Sequence, residues 1–311
     1  MLLIPNAAPG VEDSTPSVAP GDPAANAVQS SLQTGLRWLK THESKAADGD
    51  VEGIHQLRVT TRRLRSALGT FHTLIDPAWA GHVSAELKWL GGELGAVRDL
   101  DVLRHRLATA AEETDTAAAL APLFAELDRK HAEASETLRE ALRGDRFGAL
   151  TDEIAQGLVA LPFTDDAYQE CRDVLPSLVD ETWKALKRGG RALSPDDPED
   201  HFHAVRKHAK RARYAAEAVK EALDHKSSTD AAQFAKKARK VQEILGLHQD
   251  AVVAGVVIQQ AALARPDLGP FNFAAGRLLE RESREAADSR TRFFEVWPAL
   301  DRKKTVRWLR V

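Results

Sequence analysis

An internal repeat is the sequence feature that most restricts how this chain can fold. The segment IHQLRVTTRRLR, residues 54–65, aligns without gaps on FHAVRKHAKRAR, residues 202–213. Histidine and arginine coincide at the second and fifth positions of both copies, and basic residues coincide at three later positions. Such a repeat changes the number of structural units expected in the chain. The sequence therefore predicts two halves that share one plan.

A second, shorter match follows each copy of the repeat. The sequence LGAVRD at 94–99 corresponds to LGLHQD at 245–250. Each half thus contains a helix that begins with His-x-x-Arg, then a loop and a helix that carries Leu-Gly-x-x-x-Asp. We predict an N-terminal half at 27–161 and a C-terminal half at 162–311. Residues 1–26 hold five prolines among Ala, Gly and Ser, a composition that predicts a flexible tail.

Composition and periodicity both predict an all-α fold. Aromatic residues make up 6% of the 311 residues, and Val/Ile/Thr-rich alternation is missing, which favours helices over a sheet. Apolar residues recur at three- and four-residue steps from about Ala27 onward. The predicted helices cover 27–45, 51–75, 78–113, 116–143, 146–160, 165–188, 198–224, 229–264, 270–287 and 288–298. Proline and glycine, including Gly189-Gly190, separate these helices, and a helical bundle follows.

Positive charge is concentrated on one face of both repeated helices. At 100° per residue, four basic residues of each copy fall within about an 80° arc. These stripes consist of His55, Arg58, Arg62 and Arg65 in the first copy and His203, Arg206, Lys210 and Arg213 in the second. No carboxylate occurs within 53–75 or 201–216, although the whole chain has a formal net charge of −3. A third segment, 231–242, adds further lysine and arginine.

Each stripe could be a solvated helix face or an anion-binding surface. Solvated faces usually mix charge signs at i,i+4, because like pairs cost roughly 0.2–0.5 kcal/mol each. Both stripes lack acids, and both begin with histidine three residues before arginine. Arginine suits phosphate because its planar guanidinium makes bidentate hydrogen bonds and stays charged. We therefore interpret the stripes as a surface for a phosphate-rich polyanion.

The chain resembles the conserved histidine α-helical domain (CHAD) family in the blocks IHQLRVTTRRLRSAL, LGAVRDLDVL, FHAVRKHAKRARYAAE and ARKVQEILGLHQDAVV, within about 28–300. The resemblance implies two pseudosymmetric four-helix bundles with a basic surface around a central cavity. It also implies a module that binds inorganic polyphosphate without catalysis. The expected binding residues are His55, Arg58, Arg62, Arg63, Arg65, Lys88, His203, Arg206, Lys207, Lys210, Arg211, Arg213, Lys236 and Arg239. The sequence departs from the family pattern at Arg239, where lysine is more usual, and at Lys207 and His208, which thicken the second stripe.

The two stripe histidines admit three interpretations. They could be packed inside the protein, donate hydrogen bonds to phosphate, or bind a metal ion. A zinc site needs three or four converging ligands, and neither a His-x-x-x-His motif with an intervening Glu nor a carboxylate pair accompanies these histidines. We predict no metal site and no cofactor. Seven other histidines share no pattern and are predicted to lie at the surface: His72, His82, His105, His131, His201, His225 and His248.

Asp99 and Asp250 support an alternative function, a metal-dependent phosphohydrolase that uses them as a carboxylate pair. The competing interpretation is that each aspartate caps a loop or pairs with a helix of its own half, with Gly95 and Gly246 allowing close helix approach. The sequence contains neither a phosphate-binding loop ending in Gly-Lys-Ser/Thr nor a Gly-x-Ser-x-Gly elbow. We therefore predict that the protein is not an enzyme.

Nucleic acid is a further alternative ligand, expected as a weaker polyanion competitor. The tryptophans are scattered at helical positions and are predicted to pack in the core or at an interface rather than to stack on bases. The basic run at 302–310 could contact a polyanion or an acidic membrane, or be a solvated end.

The N-terminus lacks a signal-peptide pattern, no run reaches about 18 apolar residues, and the single Cys171 cannot form an intramolecular disulfide. These features predict a cytoplasmic protein without a transmembrane segment. Oligomeric state and association with polyphosphate granules stay open.

Overall fold

The computed structural model describes residues 17–309. Nine α-helices make up most of this range, and no strand occurs within it. The helices span Ala24–Ala47 (α1), Val51–Thr70 (α2), Pro77–Glu113 (α3), Ala121–Arg143 (α4), Asp145–Val159 (α5), Cys171–Ala192 (α6), Glu199–Val219 (α7), His225–Leu263 (α8) and Gly269–Leu300 (α9). Short 3-10 helices lie at Asp165–Tyr168, Lys220–Ala222 and Lys303–Leu309. The predicted all-α fold is confirmed, whereas the internal repeat and the division into halves stay predictions.

Aspartate side chains mark the starts of α2 and α3. Asp50 accepts a hydrogen bond from the backbone N–H of Gly53 at 2.7 Å. Asp76 accepts one from the N–H of Trp79 at 2.9 Å, and Pro77 occupies the first turn of α3. These oxygens satisfy N–H groups that have no partner inside a helix. The first basic stripe therefore begins at a fixed position along α2.

Two predicted helix breaks are wrong. Gly189-Gly190 lies inside α6, and the helices predicted at 270–287 and 288–298 form one helix, α9. Gly190 allows α6 and α9 to pack closely, because a Cβ atom at this position would overlap the indole ring of Trp297. Glycine here reflects close packing between two helices and not the end of one.

We expect the Gly190→Ala variant to lower the free energy of unfolding by about 2 kcal/mol, because overpacking a well-packed core costs roughly 1–3 kcal/mol. Gly81 on α3 provides the matched control, since no atom lies within 4 Å of a Cβ added there. Gly81→Ala should raise the free energy of unfolding by roughly 0.5–1 kcal/mol. Urea unfolding followed by circular dichroism measures both changes. Equal stability of Gly190→Ala and the parent protein would refute the close packing of α6 on α9.

Part of the segment predicted as a flexible tail is ordered. The backbone N–H of Cys171 donates a hydrogen bond to the carbonyl of Asp22 at 2.9 Å. Ala24 is fully buried at the start of α1. The prediction is therefore wrong for 17–26, because α6 supplies partners that composition does not reveal. Residues 1–16 of the predicted tail lie outside the described range.

The main hydrophobic core includes helices from both predicted halves, with Leu64 of α2 and Phe202 of α7 among its buried residues. A second cluster lies where α3, α4, α8 and α9 meet. By length and composition alone, α8 could cross a membrane. The core helix of a soluble protein passes the same test, and α8 packs along α7 and α9. Burial of the apolar faces leaves the basic stripes of α2 and α7 to meet each other.

Candidate anion-binding groove

The basic stripes of α2 and α7 meet at Lys210. These two helices pack against each other, and Lys210 of α7 lies within electrostatic reach of Arg58, Arg62 and Arg65 of α2. Arg206 of α7 lies within reach as well. Burial, followed by the four positive charges, lowers the pKa of Lys210 to about 7. Stripes that are far apart in sequence thus form one cluster of positive charge.

A groove of about 630 Å³ opens between α2 and α7 beside this cluster. Its lining contains His208 and one carboxylate, that of Glu181 on α6. The lysine and arginine residues that line it are Arg62, Arg65, Lys207, Lys210 and Arg211. Walls of low dielectric constant focus the potential of such charges on an anion that enters. We call this cavity the basic groove.

Several buried polar atoms on α2 and α7 have no hydrogen-bond partner within residues 17–309. They are Nε of Arg62, Nε of Arg206, the hydroxyl of Tyr214 and Nδ1 of His203. Buried polar groups are nearly always paired in proteins, and an unpaired one costs about 1–3 kcal/mol. The arginine and tyrosine groups are donors that a bound anion would satisfy. Positive charge and unused donors therefore coincide in the same place.

Arg58 is held by an acidic partner from the same predicted half. Its Nη2 donates to Oδ1 of Asp99 on α3 at 2.8 Å. Gly95 makes room for this pair, since a Cβ there would lie 2.9 Å from Nη1 of Arg58. At the corresponding Gly246, a Cβ would lie 3.6 Å from Nε of Arg206, which is an ordinary contact distance. Asp99 therefore pairs with α2, a helix of the same predicted half.

A second cavity, of about 700 Å³, shares Tyr214 with the basic groove. Arg63 and Arg239 line it together with Glu217. Glu217 accepts hydrogen bonds from Nε of Arg213 at 2.8 Å and from Nη2 of Arg239 at 3.2 Å. One carboxylate thus compensates part of the charge of two arginines. The predicted site therefore divides into a strongly positive groove and a more balanced second cavity.

Burial is the largest cause that lowers the pKa of both stripe histidines, His55 and His203. Neighbouring cations lower both pKa values further. Glu52 opposes the shift at His55, and a hydrogen bond with Gln249 opposes it at His203. Both histidines are therefore mostly uncharged in the free protein at neutral pH.

The outer residues of the predicted set differ in their relation to the basic groove. Lys207 and Arg211 are exposed and line its rim. Lys88 is exposed on α3, four residues after Ser84, which lines the groove, so the two share a helix face. Lys236 is exposed on α8 and lines neither cavity. The structure thus brings most of the predicted residues together but leaves Lys236 apart.

Comparison with known proteins gives the family. The model of the CHAD domain family matches residues 30–259. The chain belongs to the CHAD domain family. Two relatives from Mycobacterium tuberculosis, "Uncharacterized protein MT2285" of strain CDC 1551 / Oshkosh and "Uncharacterized protein Rv2226" of strain ATCC 25618 / H37Rv, are each 29% identical over 301 residues. The matches cover 91% of this chain and 54% of each relative, so the chain spans about half the length of these curated relatives.

Two solved structures share the fold of this CHAD protein. The CHAD domain from the plant Ricinus communis superimposes with a TM-score of 0.73 at 27% identity, covering 93% of this chain and 96% of that one. PptA from Streptomyces chartreusis superimposes with a TM-score of 0.75 at 24% identity, covering 89% of this chain and 99% of that one. Both likenesses extend over nearly the whole all-α architecture.

The second predicted carboxylate of this CHAD domain, Asp250, is partly buried beside cations. Burial raises the pKa of Asp250, and the charges of Arg206 and Arg106 oppose this rise. Asp99 and Glu282 raise the pKa slightly further. Within residues 17–309, no group of three or more His, Cys, Asp or Glu side chains could hold a metal ion. The two aspartates thus accompany the first arginine of each stripe, since Asp99 pairs with Arg58 and Asp250 lies near Arg206.

Sequence reasoning missed Tyr214 and misplaced His248. Tyr214 lies four residues after Lys210 and therefore on the same helix face as the second stripe. This spacing is the sequence signal that could have indicated Tyr214. His248, predicted at the surface, is buried, with Nε2 2.7 Å from Oε2 of Glu199 and 3.1 Å from Nε of Arg290. These partners come from α7 and α9, and no local pattern around His248 reveals them.

Proposed function

We propose that this CHAD domain binds inorganic polyphosphate in the basic groove and does not hydrolyse it. The observation that carries the proposal is Lys210, which is surrounded by arginines and makes no ion pair within the described residues. A buried positive charge is costly until an opposite charge compensates it. A linear polymer with a negative charge on each unit can compensate Lys210 and the cations of both helices together. The family resemblance implies the same ligand.

Nucleic acid is the second candidate ligand, and the surroundings of Tyr214 favour polyphosphate over it. Proteins that bind single strands use exposed aromatic rings as stacking platforms for bases. The ring of Tyr214 is covered by the guanidinium groups of Arg62, 5.4 Å from the ring centroid, and Arg213, 4.9 Å from it. The aromatic ring at the basic groove is therefore occupied, and the surrounding groups recognise charge.

Titration of the full chain with long-chain polyphosphate, in competition with single-stranded DNA and RNA, tests the proposed ligand. We expect polyphosphate to bind more tightly than either nucleic acid at equal phosphate concentration. Tighter binding of DNA or RNA would overturn the proposal in favour of the second candidate.

Release of orthophosphate from polyphosphate tests whether the protein is an enzyme. We expect no release above that of a protein-free control in the presence of Mg²⁺ or Mn²⁺. Release that disappears in an Asp99→Asn/Asp250→Asn variant would overturn the non-catalytic part of the proposal.

We expect polyphosphate binding to take up protons at His55 and His203. Burial lowers their pKa values in the free protein, and nearby phosphates should raise them again. Affinity should therefore fall as the pH rises through the histidine range, and the calorimetric binding enthalpy should depend on the ionisation enthalpy of the buffer. At about pH 6 this uptake separates from that of Lys210, which is already mostly protonated there.

The His55→Gln/His203→Gln variant should lose the proton uptake at this pH. Its dependence on salt should persist, because that dependence comes from the arginines and lysines. Full proton uptake in the double variant would show that both histidines are structural.

A further inference from the structure

The basic C-terminal run lies against α8. The 3-10 helix Lys303–Leu309 packs on α8 and on α6. Nζ of Lys237 on α8 donates a hydrogen bond to Oγ1 of Thr305 at 2.7 Å. Thr305 is buried, and its hydroxyl in turn donates to the carbonyl of Ala299 at 3.2 Å. Two basic segments far apart in sequence are thus held side by side.

The exposed cations of these two segments lack acidic partners within the described part of the chain. Burial is the first cause that lowers the pKa of Lys237, followed by the charges of Arg302 and Lys304. Within residues 17–309, none of the exposed cations of these segments makes an ion pair. They are Lys236, Lys240, Arg302, Lys303, Lys304 and Arg307. By contrast, Arg191 at the end of α6 is paired with Asp301 at 2.7 Å.

Helix geometry connects these cations to the cavities of the proposed site. Viewed along α8, Lys236, Lys240 and Lys237 lie about 60°, 100° and 160° from Arg239, all within about 6 Å along the axis. Arg239 lines the second cavity, and Lys237 contacts the C-terminal segment. The basic side chains therefore form a continuous band around α8, and Glu243 lies about one turn beyond it. This placement also puts Lys236, which lines neither cavity, between Arg239 and Lys240 on the band.

We propose that this band, formed by Lys236, Lys237 and Lys240 with Arg302, Lys303 and Lys304, binds the part of a long polyphosphate chain that extends beyond the two cavities. The inference rests on the proposed function and adds a second contact surface to it. Trp308 and Leu309 are buried against the core, so the surface offers charges and no apolar anchor for a lipid bilayer. A flexible phosphate polymer fits such a surface better than a membrane.

The variant Lys236→Gln/Lys240→Gln/Arg302→Gln/Lys304→Gln tests the band, because all four side chains are exposed and none of them lines the basic groove. We expect its affinity for tripolyphosphate to equal that of the parent protein. Its affinity for long-chain polyphosphate should fall by about tenfold, with a slope of log K against log salt that is about 3 less negative.

The matched control is Arg129→Gln/Arg143→Gln/Arg172→Gln/Arg284→Gln, which removes the same charge from exposed positions on α4, α6 and α9. It should bind long chains as the parent does. Equal loss in both variants, or no loss in the band variant, would overturn the band while leaving the groove intact. Failure of the parent protein to bind polyphosphate of any length would instead refute the proposed function. Loss of binding to phosphatidylserine vesicles, with polyphosphate binding unchanged, would assign the band to a membrane and overturn this inference.

Discussion

Replacing Arg62 and Arg206 by glutamate is expected to abolish the binding of long-chain polyphosphate. Both arginines flank Lys210, and both carry a buried Nε without a protein partner. Each substitution removes a hydrogen-bond donor for phosphate and places a carboxylate where phosphate oxygens would lie. Because like charges placed opposite each other cost several kcal/mol, the affinity for polyphosphate should fall by at least about a hundredfold. Fluorescence anisotropy with labelled polyphosphate measures this loss.

The salt dependence gives a second readout of the same variant. Each basic group that neutralises a phosphate contributes about −0.7 to the slope of log K against log salt for a single strand, so loss of two contacts should change the slope by about 1.4. Arg129→Glu/Arg284→Glu is the control, because both arginines are exposed and are paired with acids on α4 and α9. Circular dichroism should show equal helix content in both variants. Unchanged polyphosphate affinity in a folded Arg62→Glu/Arg206→Glu variant would refute the hypothesis that polyphosphate binds in the basic groove.

Local periodicity was enough to predict the stripes, because their geometry depends only on helix rotation. His55 to Arg65 and His203 to Arg213 lie on α2 and α7 as the 100° rotation requires. The repeat also suggested that the two helices have related roles. It did not predict that Lys210 lies among the arginines of α2, since that contact depends on how two distant helices pack.

Partners from other helices explain most of what the sequence did not predict. The stretch without acids ends at residue 216, and Glu217, one residue beyond it, binds both Arg213 and Arg239. The pair with Arg213 has the i,i+4 spacing that sequence rules cover, whereas the pair with Arg239 joins α7 to α8. The sequence predicts a helix break at Gly190 because glycine weakens helices, yet the role of Gly190 depends on Trp297 in another helix. Such contacts follow from packing and have no local signature.

Replacing Lys210 by methionine is expected to stabilise the protein while weakening polyphosphate binding. The pKa of Lys210 is about 7 in the folded protein against about 10.5 for a free lysine, so the folded state resists its protonation. Below pH 7 the side chain is charged in both states, and the full cost of the buried charge opposes folding. At about 1.4 kcal/mol per pKa unit the shift sets an upper limit, and partial solvent exposure reduces it, so we expect a gain of about 2 kcal/mol near pH 6.

The pH dependence identifies Lys210 as the origin of this gain. Between pH 7 and about 10 the unfolded chain binds more protons at this position, so the stability of the parent protein should rise with pH over this window. The advantage of Lys210→Met should therefore shrink as the pH rises. Lys207→Met, at an exposed position that lines the same groove, should change the stability by less than about 0.5 kcal/mol at every pH. Urea unfolding at a series of pH values checks both variants.

The affinity for polyphosphate should change with pH in the direction opposite to the stability, and Lys210 should cause both changes. Polyphosphate favours the charged form of Lys210, so binding above pH 7 should take up a proton and weaken as the pH rises. Lys210→Met should lose this proton uptake and most of the affinity that depends on it, whereas the histidine uptake near pH 6 should remain. A variant that is more stable but binds as tightly as the parent would mean that the buried charge does not contribute to polyphosphate binding. The paired loss of affinity and gain of stability is expected only if the protein keeps an unfavourable charge in the groove for an anionic ligand to neutralise.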